Sequence, residues 1–218
     1  MSTGFSVEKE REYYSEPVST YLPYDEAFTR KLLQSCTGDV GLFLENRIVL
    51  EIGAGECLYV ESIMKGFRPA KYICTELFED RMARAKAALS VYPNVTLQAV
   101  DAYKLPFRDG SIDTVLAFGV LHHFPDLGRA LKELARVLKG GGVLVGRDPW
   151  AGNPLIWFHE RFLHKPSENE RPLTVQRLEN ELKESGFSVR HMKRVWLRFP
   201  HLPPGPWSTN IGYTAVRV

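Results

Sequence analysis

Three carboxylates stand where predicted strands end, and their spacing is the first sign of a ligand site. Glu51, Glu76 and Asp101 each close a short apolar run, as three successive strand and helix units would place them. In an open parallel sheet, ligands bind outside the carboxyl ends of the strands, so we expect these side chains to face one crevice. A row of carboxylates suits a ligand that offers hydroxyls, an amino group and a positive centre.

A glycine-containing loop follows the first of these strands. The apolar run 47–52 leads into Gly53-Ala54-Gly55, and glycine lets a backbone pass close to a ligand. A dinucleotide fingerprint needs a third glycine three residues after Gly55, where Leu58 stands. The acidic residues around the loop would also place negative charge near a pyrophosphate. The loop therefore favours a phosphate-free ligand over a nicotinamide dinucleotide.

A histidine pair follows the fourth predicted strand, and an aspartate ends the fifth. Histidine is the side chain best suited to move protons near neutral pH, so His122 or His123 could deprotonate or orient a substrate. Alternatively, one of the two caps or packs the following helix while the other faces the ligand. Asp148 lies where a substrate-side residue is expected, with a turn or helix cap before Pro149 as the alternative. No third partner stands at ligand spacing from the histidines, so we expect no metal site.

Short apolar strands alternate with helical patterns over residues 25–146, which is typical of an α/β protein with a parallel sheet between helices. The clearest helix begins near Asp126, and Gly140 is its expected C-cap. Gly38, Gly66 and Gly186 are expected to end other helices. Predicted strands cover residues 47–52, 71–77, 95–100, 112–118, 142–146, 187–199 and 211–218, and predicted helices cover residues 25–34, 58–65, 79–89, 126–138, 153–163 and 174–185.

The form Glu-x-Gly-x-Gly at residues 51–55, with acidic ends on the next two strands, resembles the first motif of the class I S-adenosylmethionine (SAM) dependent methyltransferases. The Leu-His-His segment at residues 121–123 resembles the type 11 group of small-molecule methyltransferases, and the resemblance covers roughly residues 45–148. It implies a doubly wound, mostly parallel, seven-stranded sheet with helices on both faces and an antiparallel last strand. Cys57 departs from the family pattern, which often has a third glycine there.

The resemblance also implies SAM as the cofactor, with S-adenosylhomocysteine (SAH) as its product. Glu76 would accept hydrogen bonds from the ribose hydroxyls, and Asp101 with the Ala102 backbone would recognise the adenine. Gly53 and Gly55 would line the methionine and ribose end. The full set assigned to the cofactor is Glu51, Gly53, Ala54, Gly55, Glu76, Leu77, Asp101, Ala102 and Phe118.

A single domain of 218 residues accommodates this pattern, with residues 1–24 as an N-terminal arm and residues 149–172 as a substrate-side insertion. An aromatic helix around Trp157 in the insertion could cover the pocket or pack in the core. Neither segment carries a motif that identifies the methyl acceptor, which is expected to be a small molecule. The atom that receives the methyl group stays open, as does the oligomeric state.

The composition argues against several other partners. The formal net charge of +2 is nearly balanced, and the basic run 190–198 is explained by the solvated face of a closing strand, so nucleic acid is not implied. The sequence contains no uncharged apolar run of about eighteen residues, so membrane insertion is not expected. Cys36, Cys57 and Cys74 lack metal-ligand spacing and are expected to be reduced thiols in a cytoplasmic protein.

A rival prediction is a catalytically inactive, methyltransferase-like scaffold that serves as a SAM sensor or a regulatory subunit. Cys57 in the glycine loop and the lack of a firmly assigned catalytic residue motivate this alternative. Such a protein would bind SAM without forming a methylated product.

Overall fold

The structure is a computed structural model, which describes residues 11, 23–38, 43–154, 171–196 and 208–218. A short 3-10 helix covers Leu121–His123. The helices within the described ranges are α1 (Glu26–Thr37), α2 (Val60–Phe67), α3 (Glu79–Leu89), α4 (Leu127–Val137) and α5 (Val175–Glu184). The strands are β1 (Ile48–Ile52), β2 (Lys71–Glu76), β3 (Val95–Ala99), β4 (Ile112–Phe118), β5 (Leu138–Pro149), β6 (Phe187–Val195) and β7 (Asn210–Arg217).

The strands form one seven-stranded sheet in the order β3-β2-β1-β4-β5-β7-β6. β1 pairs in parallel with β2 on one side and β4 on the other, and β4 pairs in parallel with β5. β7 runs antiparallel to both of its neighbours, β5 and β6. The strand order reverses beside β1, which is where ligands of such sheets bind. The predicted α/β class, the doubly wound sheet of seven strands and the antiparallel last strand are confirmed.

Two hydrophobic cores cover the two faces of the sheet. Because successive residues of a strand point to opposite faces, Leu50 and Ile52 of β1 enter one core and Val49 enters the other. α4 and α5 bury their leucines in the first core, and α1, α2 and α3 bury apolar side chains in the second. Burial of one large apolar side chain contributes about 2 kcal/mol, so these layers hold the strand ends in fixed positions.

Two of the predicted helix stops are confirmed. Gly38 follows α1 with a φ of 74°, and its N–H donates to the Gln34 carbonyl, as a left-handed C-cap requires. Gly186 lies just beyond α5 with a φ of 86°. α5 begins at Thr174, whose side chain accepts a hydrogen bond from the Arg177 N–H.

The predicted stop at Gly66 is wrong. α2 continues to Phe67, and Arg68 adopts the left-handed conformation instead, with a φ of 45°. Gly66 lies against the side chain of Glu26 in α1, where an added Cβ would be 3.2 Å from the nearest atom. The glycine therefore serves close packing between two helices rather than a helix end.

The predicted C-cap at Gly140 is also wrong, because α4 passes into β5 without a break. α4 ends at Val137, and Leu138 is already extended, with φ of −68° and ψ of 143°. Gly140 lies inside β5, near the point where the pairing with β4 shifts register between Ile112 and Thr114. The glycines in this part of β5 accommodate an irregular strand, and β5 is longer than the predicted 142–146.

Some predictions fall outside the described residues. These are most of the N-terminal arm (1–24), most of the helix predicted at 153–163 with Trp157, and the centre of the insertion (149–172). Cys36, Cys57 and Cys74 are buried, and none of them forms a disulfide among the described residues. None of the described helices combines the length and apolar character needed to cross a bilayer.

Candidate functional site

The loop after β1 lies against the ends of two neighbouring strands. Gly53 has a φ of 58°, and a Cβ at this position would overlap the Val120 side chain in the connection after β4. The Ala54 N–H donates to the Thr75 carbonyl of β2 at 2.9 Å. Gly55 also has a positive φ, 53°. The loop therefore has a fixed shape over the carboxyl ends of β1, β2 and β4.

Cys57 adopts a glycine-like conformation in this loop. Its φ is 58°, and its side chain is fully buried. A side chain in the left-handed region costs about 1–2 kcal/mol. Burial in the core with Cys74 and Val60 offsets that cost. The departure from the family's glycine therefore leaves the backbone turn in place.

Glu76 ties the end of β2 to the glycine loop. Its Oε2 accepts a hydrogen bond from the Gly55 N–H at 2.8 Å, and its Oε1 accepts one from the Leu77 N–H at 2.9 Å. Arg81 lies 3.9 Å from Oε2 and places a positive charge beside the carboxylate. A carboxylate has about four acceptor positions, so it can still accept hydrogen bonds from a ligand. This arrangement fits a ligand with neighbouring hydroxyls, as ribose has.

The next strand ends carry the other residues assigned to the cofactor. Asp101 follows β3, is exposed, and accepts a hydrogen bond from the Tyr103 N–H at 2.8 Å, which shapes a short turn. Leu77 and Ala102 are half-buried beside the ends of β2 and β3. Phe118 ends β4 and is 9% exposed. The structure thus brings these residues to one edge of the sheet, and their contacts with a cofactor stay a prediction.

Glu51 is set back from this edge. Ile52 follows it in β1, and the Glu51 side chain enters the core between the sheet and α1, α2 and α3, where it is 2% exposed. The Tyr72 hydroxyl donates to its Oε2 at 2.8 Å. Burial raises the pKa of Glu51 to about 7; the Tyr72 hydrogen bond opposes the rise, and the charge of Glu76 adds to it. Glu51 is therefore a buried acid, and its assignment to the cofactor stays a prediction.

Asp148 and His122 form a bonded pair at the ends of β5 and β4. Asp148 Oδ1 lies 2.8 Å from His122 Nδ1 and accepts the His122 backbone N–H at 3.1 Å. Asp148 Oδ2 accepts a hydrogen bond from the Tyr213 hydroxyl at 2.9 Å. A carboxylate on Nδ1 favours the tautomer that carries its proton there, which leaves Nε2 as an acceptor. Asp148 therefore lies inside β5 and holds both the ring and the backbone of His122.

Gly146 allows Tyr213 to reach Asp148. The glycine of β5 and the tyrosine of β7 are directly opposite each other in the antiparallel ladder. A Cβ at residue 146 would overlap the Tyr213 hydroxyl. Sequence reasoning misses Tyr213, because no local spacing relates two residues that are 65 positions apart.

His123 lies beside His122, with the ring centroids 4.0 Å apart, and it is half-buried. The N-cap of α4 is Asp126, whose side chain accepts a hydrogen bond from the Arg129 N–H. Among the residues that the structure describes, no three or more His, Cys, Asp or Glu side chains are grouped to hold a metal ion. The catalytic assignment of His122, His123 and Asp148 stays a prediction.

Arg147 is a second residue that sequence reasoning misses. It lies on the face of β5 opposite to Asp148 and is 6% exposed. Its Nη2 donates to the Tyr59 hydroxyl at 3.2 Å, whereas Nε and Nη1 have no hydrogen-bond partner in the described part of the chain. The Tyr59 ring packs 4.8 Å from the rings of Tyr24 and Phe118. The sequence signal that could have identified Arg147 is its charge, which directly follows the apolar residues of β5.

The matched family covers the part of the chain that carries this geometry. Residues 50–146, from β1 to β5, match the family described as "Methyltransferase domain", type 11. Residues 50–146 are therefore similar to the methyltransferase domain of the type 11 group of class I SAM-dependent methyltransferases. SAM is the cofactor of this kind of methyltransferase domain.

Individual proteins agree with this assignment. The probable SAM-dependent methyltransferase of Mycobacterium tuberculosis is 33% identical over 125 residues, which are 54% of this chain and 44% of the relative. The chain thus spans less than half the length of that curated relative.

Two solved methyltransferase structures share the fold. One is a complex of the Haloferax volcanii Trm112 methyltransferase activator with a methyltransferase (TM-score 0.71, 15% identity, 88% of this chain and 91% of that chain). The other is the trans-methyltransferase CalH in complex with SAH (TM-score 0.65, 22% identity, 79% of this chain and 52% of that chain). At these identities the structures show the fold alone.

Proposed function

We propose that the protein transfers a methyl group from SAM to a small-molecule acceptor by in-line displacement. When bound, the cofactor supplies an activated methyl group on a sulfonium centre. The glycine loop 53–55 is proposed to line the methionine and ribose end, Glu76 to bind the ribose hydroxyls, and Asp101 to bind the adenine. Leu77, Ala102 and Phe118 complete the cofactor surface.

The hydrogen bond between the Gly55 N–H and the Glu76 carboxylate carries this proposal. It joins the glycine loop to the acidic end of the neighbouring strand, at the place where the strand order reverses. A dinucleotide enzyme uses the N–H groups of this loop for a pyrophosphate, whereas here a carboxylate occupies one of them. A phosphate-free cofactor with ribose hydroxyls suits that arrangement.

On the acceptor side, His122 is proposed to take the proton that an acceptor hydroxyl, thiol or amine loses. Asp148 holds the ring through Nδ1 and Tyr213 holds the second oxygen of Asp148, so the orientation of the ring is fixed before an acceptor binds. A positioned base contributes about 10²–10⁴-fold to a rate. Alignment of the acceptor atom with the methyl group supplies the remaining acceleration.

Calorimetric titration with SAM tests the cofactor part of the proposal. The wild-type chain should bind SAM, and Glu76→Ala should weaken binding by about 1–3 kcal/mol, because the ribose hydroxyls lose a charged acceptor. Asp109→Ala is the matched control, since this carboxylate is 78% exposed and pairs with Arg136 in the turn before β4. No binding of SAM to the wild-type chain at millimolar concentration would refute the function.

Product formation tests the transfer itself. The chain is incubated with methyl-labelled SAM and a library of small organic acids, phenols, amines and thiols, and the products are analysed by mass spectrometry. We expect at least one acceptor to gain a labelled methyl group while SAH accumulates. Binding of SAM with no labelled product and with a co-purifying protein partner would favour the inactive scaffold instead.

A further inference from the structure

Arg147 is a buried cation for which the described residues supply no counter-charge. It is 6% exposed, and its one described side-chain hydrogen bond goes to the neutral Tyr59 hydroxyl. Its Nε and Nη1 are buried without a partner among the described residues. Proteins ordinarily pair a buried charge, because an unpaired one loses its hydration without a compensating partner. The complementary anion therefore lies outside the described residues, and the location of Arg147 at the sheet edge favours a bound molecule as its source.

The guanidinium lies at the edge of the sheet that carries the cofactor residues. Tyr59, its hydrogen-bond partner, follows the glycine loop and immediately precedes α2. The Tyr59 ring packs on Phe118 at the end of β4, and the Gly119 N–H donates to the Arg147 carbonyl at 2.7 Å. Because Arg147 and Asp148 point to opposite faces of β5, the positive group and the His122–Asp148 pair flank the carboxyl end of this strand.

We propose that Arg147 binds the carboxylate of a small molecule held at this edge, an inference that rests on the proposed function for the location of the site. The guanidinium has five N–H donors in a planar fork, and Tyr59 uses one, so four remain for an oxyanion. Such a fork matches the geometry and the single charge of a carboxylate. Two sources can supply this group: the methionine part of the cofactor, or an acceptor that is itself an organic acid.

Calorimetry on the wild-type chain and on Arg147→Met separates the two sources. The probes are SAH, 5′-methylthioadenosine, which lacks the amino-acid carboxylate, and hexanoate and benzoate added to the SAH complex. If the cofactor supplies the carboxylate, Arg147→Met weakens SAH binding at least tenfold and leaves 5′-methylthioadenosine binding unchanged. If the acceptor supplies it, SAH binding is unchanged, and hexanoate or benzoate binds the wild-type complex but not the variant.

The proposal is overturned if SAH binding is unchanged and neither acid distinguishes the wild-type chain from Arg147→Met. Arg30→Met is the charge-matched control, since this exposed arginine pairs with Glu26 on α1. A wild-type chain that binds no SAH would refute the proposed function, whereas titration of the two acids into the ligand-free chain would still test Arg147.

Stability without ligand provides a second readout that is independent of turnover. The urea midpoint of ligand-free Arg147→Met should rise above that of the wild-type chain, because a buried unpaired charge is replaced by an apolar side chain of similar length. Arg147→Lys keeps the charge and should show no such rise. A fall in the midpoint of Arg147→Met would contradict the premise that the charge lacks a partner.

Discussion

Asp148 and His122 are joined twice through a single carboxylate oxygen, which lies 2.8 Å from the histidine Nδ1 and 3.1 Å from the histidine backbone nitrogen. The first contact sets the rotation of the ring, and the second fixes the 3-10 helix at Leu121–His123 against the end of β5. One buried carboxylate therefore serves both the fold and the proposed chemistry. Substitutions at residue 148 should therefore change both stability and turnover, and different substitutions can separate the two effects.

Asp148→Ala should lower the free energy of unfolding by about 3 kcal/mol. It leaves the His122 N–H groups without their acceptor and the buried Tyr213 hydroxyl with only the Ala117 carbonyl at 3.5 Å. Each buried unsatisfied group costs about 1–3 kcal/mol. Urea denaturation measures the change. Tyr213→Phe removes only one of these hydrogen bonds and should cost about 1 kcal/mol. Equal losses in the two variants would mean that the His122 contacts contribute nothing.

Asp148→Asn should lower turnover while leaving cofactor binding intact. The amide keeps the size of the carboxylate but removes its charge and its preference for the Nδ1-protonated ring, so a fall of about 10²-fold or more is expected. Single-turnover methyl transfer to the identified acceptor gives the rate, and titration with SAH gives the affinity. Unchanged turnover would reduce Asp148 to a purely structural role.

Gly53→Ala should lower the free energy of unfolding by about 2–4 kcal/mol. The left-handed conformation contributes about 1–2 kcal/mol, and overlap with Val120 contributes the remainder. A double-mutant cycle with Val120→Ala isolates the overlap, because the smaller side chain makes room for the new methyl group. Strict additivity in that cycle would show that Val120 does not restrict residue 53.

Glu51→Gln should change how stability depends on pH. The folded-state pKa of about 7 lies above the ordinary value of 4.5, so the folded chain holds this proton more tightly than the unfolded chain. The resulting stabilisation is complete below pH 4.5 and is lost as the pH rises to about 7. Over that interval the wild-type chain should lose up to about 3 kcal/mol relative to Glu51→Gln. Parallel stability curves in urea from pH 4.5 to 8 would contradict the assignment.

Asp101→Ala should weaken SAM binding by about 1–3 kcal/mol, because the adenine amino group would lose its acceptor. Asp101→Asn keeps one carbonyl oxygen and should lose less. Calorimetry gives both affinities. If Asp101→Ala binds SAM as tightly as the wild-type chain, the adenine lies elsewhere.

Local patterns were sufficient for the strand ends and the glycine loop. Glu76 closes an apolar run, and Gly53 and Gly55 follow another, so the parallel order alone brings them together. The helix stops at Gly38 and Gly186 also follow from local conformation. The prediction of a C-cap at Gly140 was wrong, because a glycine shortly after a helix is equally compatible with a C-cap and with an irregular strand.

Contacts across the sheet could not be predicted in the same way. Tyr213 meets Asp148 only because β7 inserts beside β5, and no spacing in the sequence encodes that insertion. The burial of Glu51 could not be predicted either, because it depends on the helices that pack over its face of β1. The burial of the Arg147 side chain could not be predicted for the same reason, because it depends on the packing of α1 and α2 against the sheet.

The position of β7 also has a consequence for biosynthesis. This strand follows β6 in the sequence, yet it lies between β5 and β6, and all the described pairing of β6 is with β7. Until residues 210–217 emerge, β5 has an open edge and β6 has no neighbour, which is the situation that invites unwanted pairing with other chains. The nascent chain is therefore most exposed to unwanted pairing until β7 has been synthesised, and that same strand brings Tyr213 to Asp148.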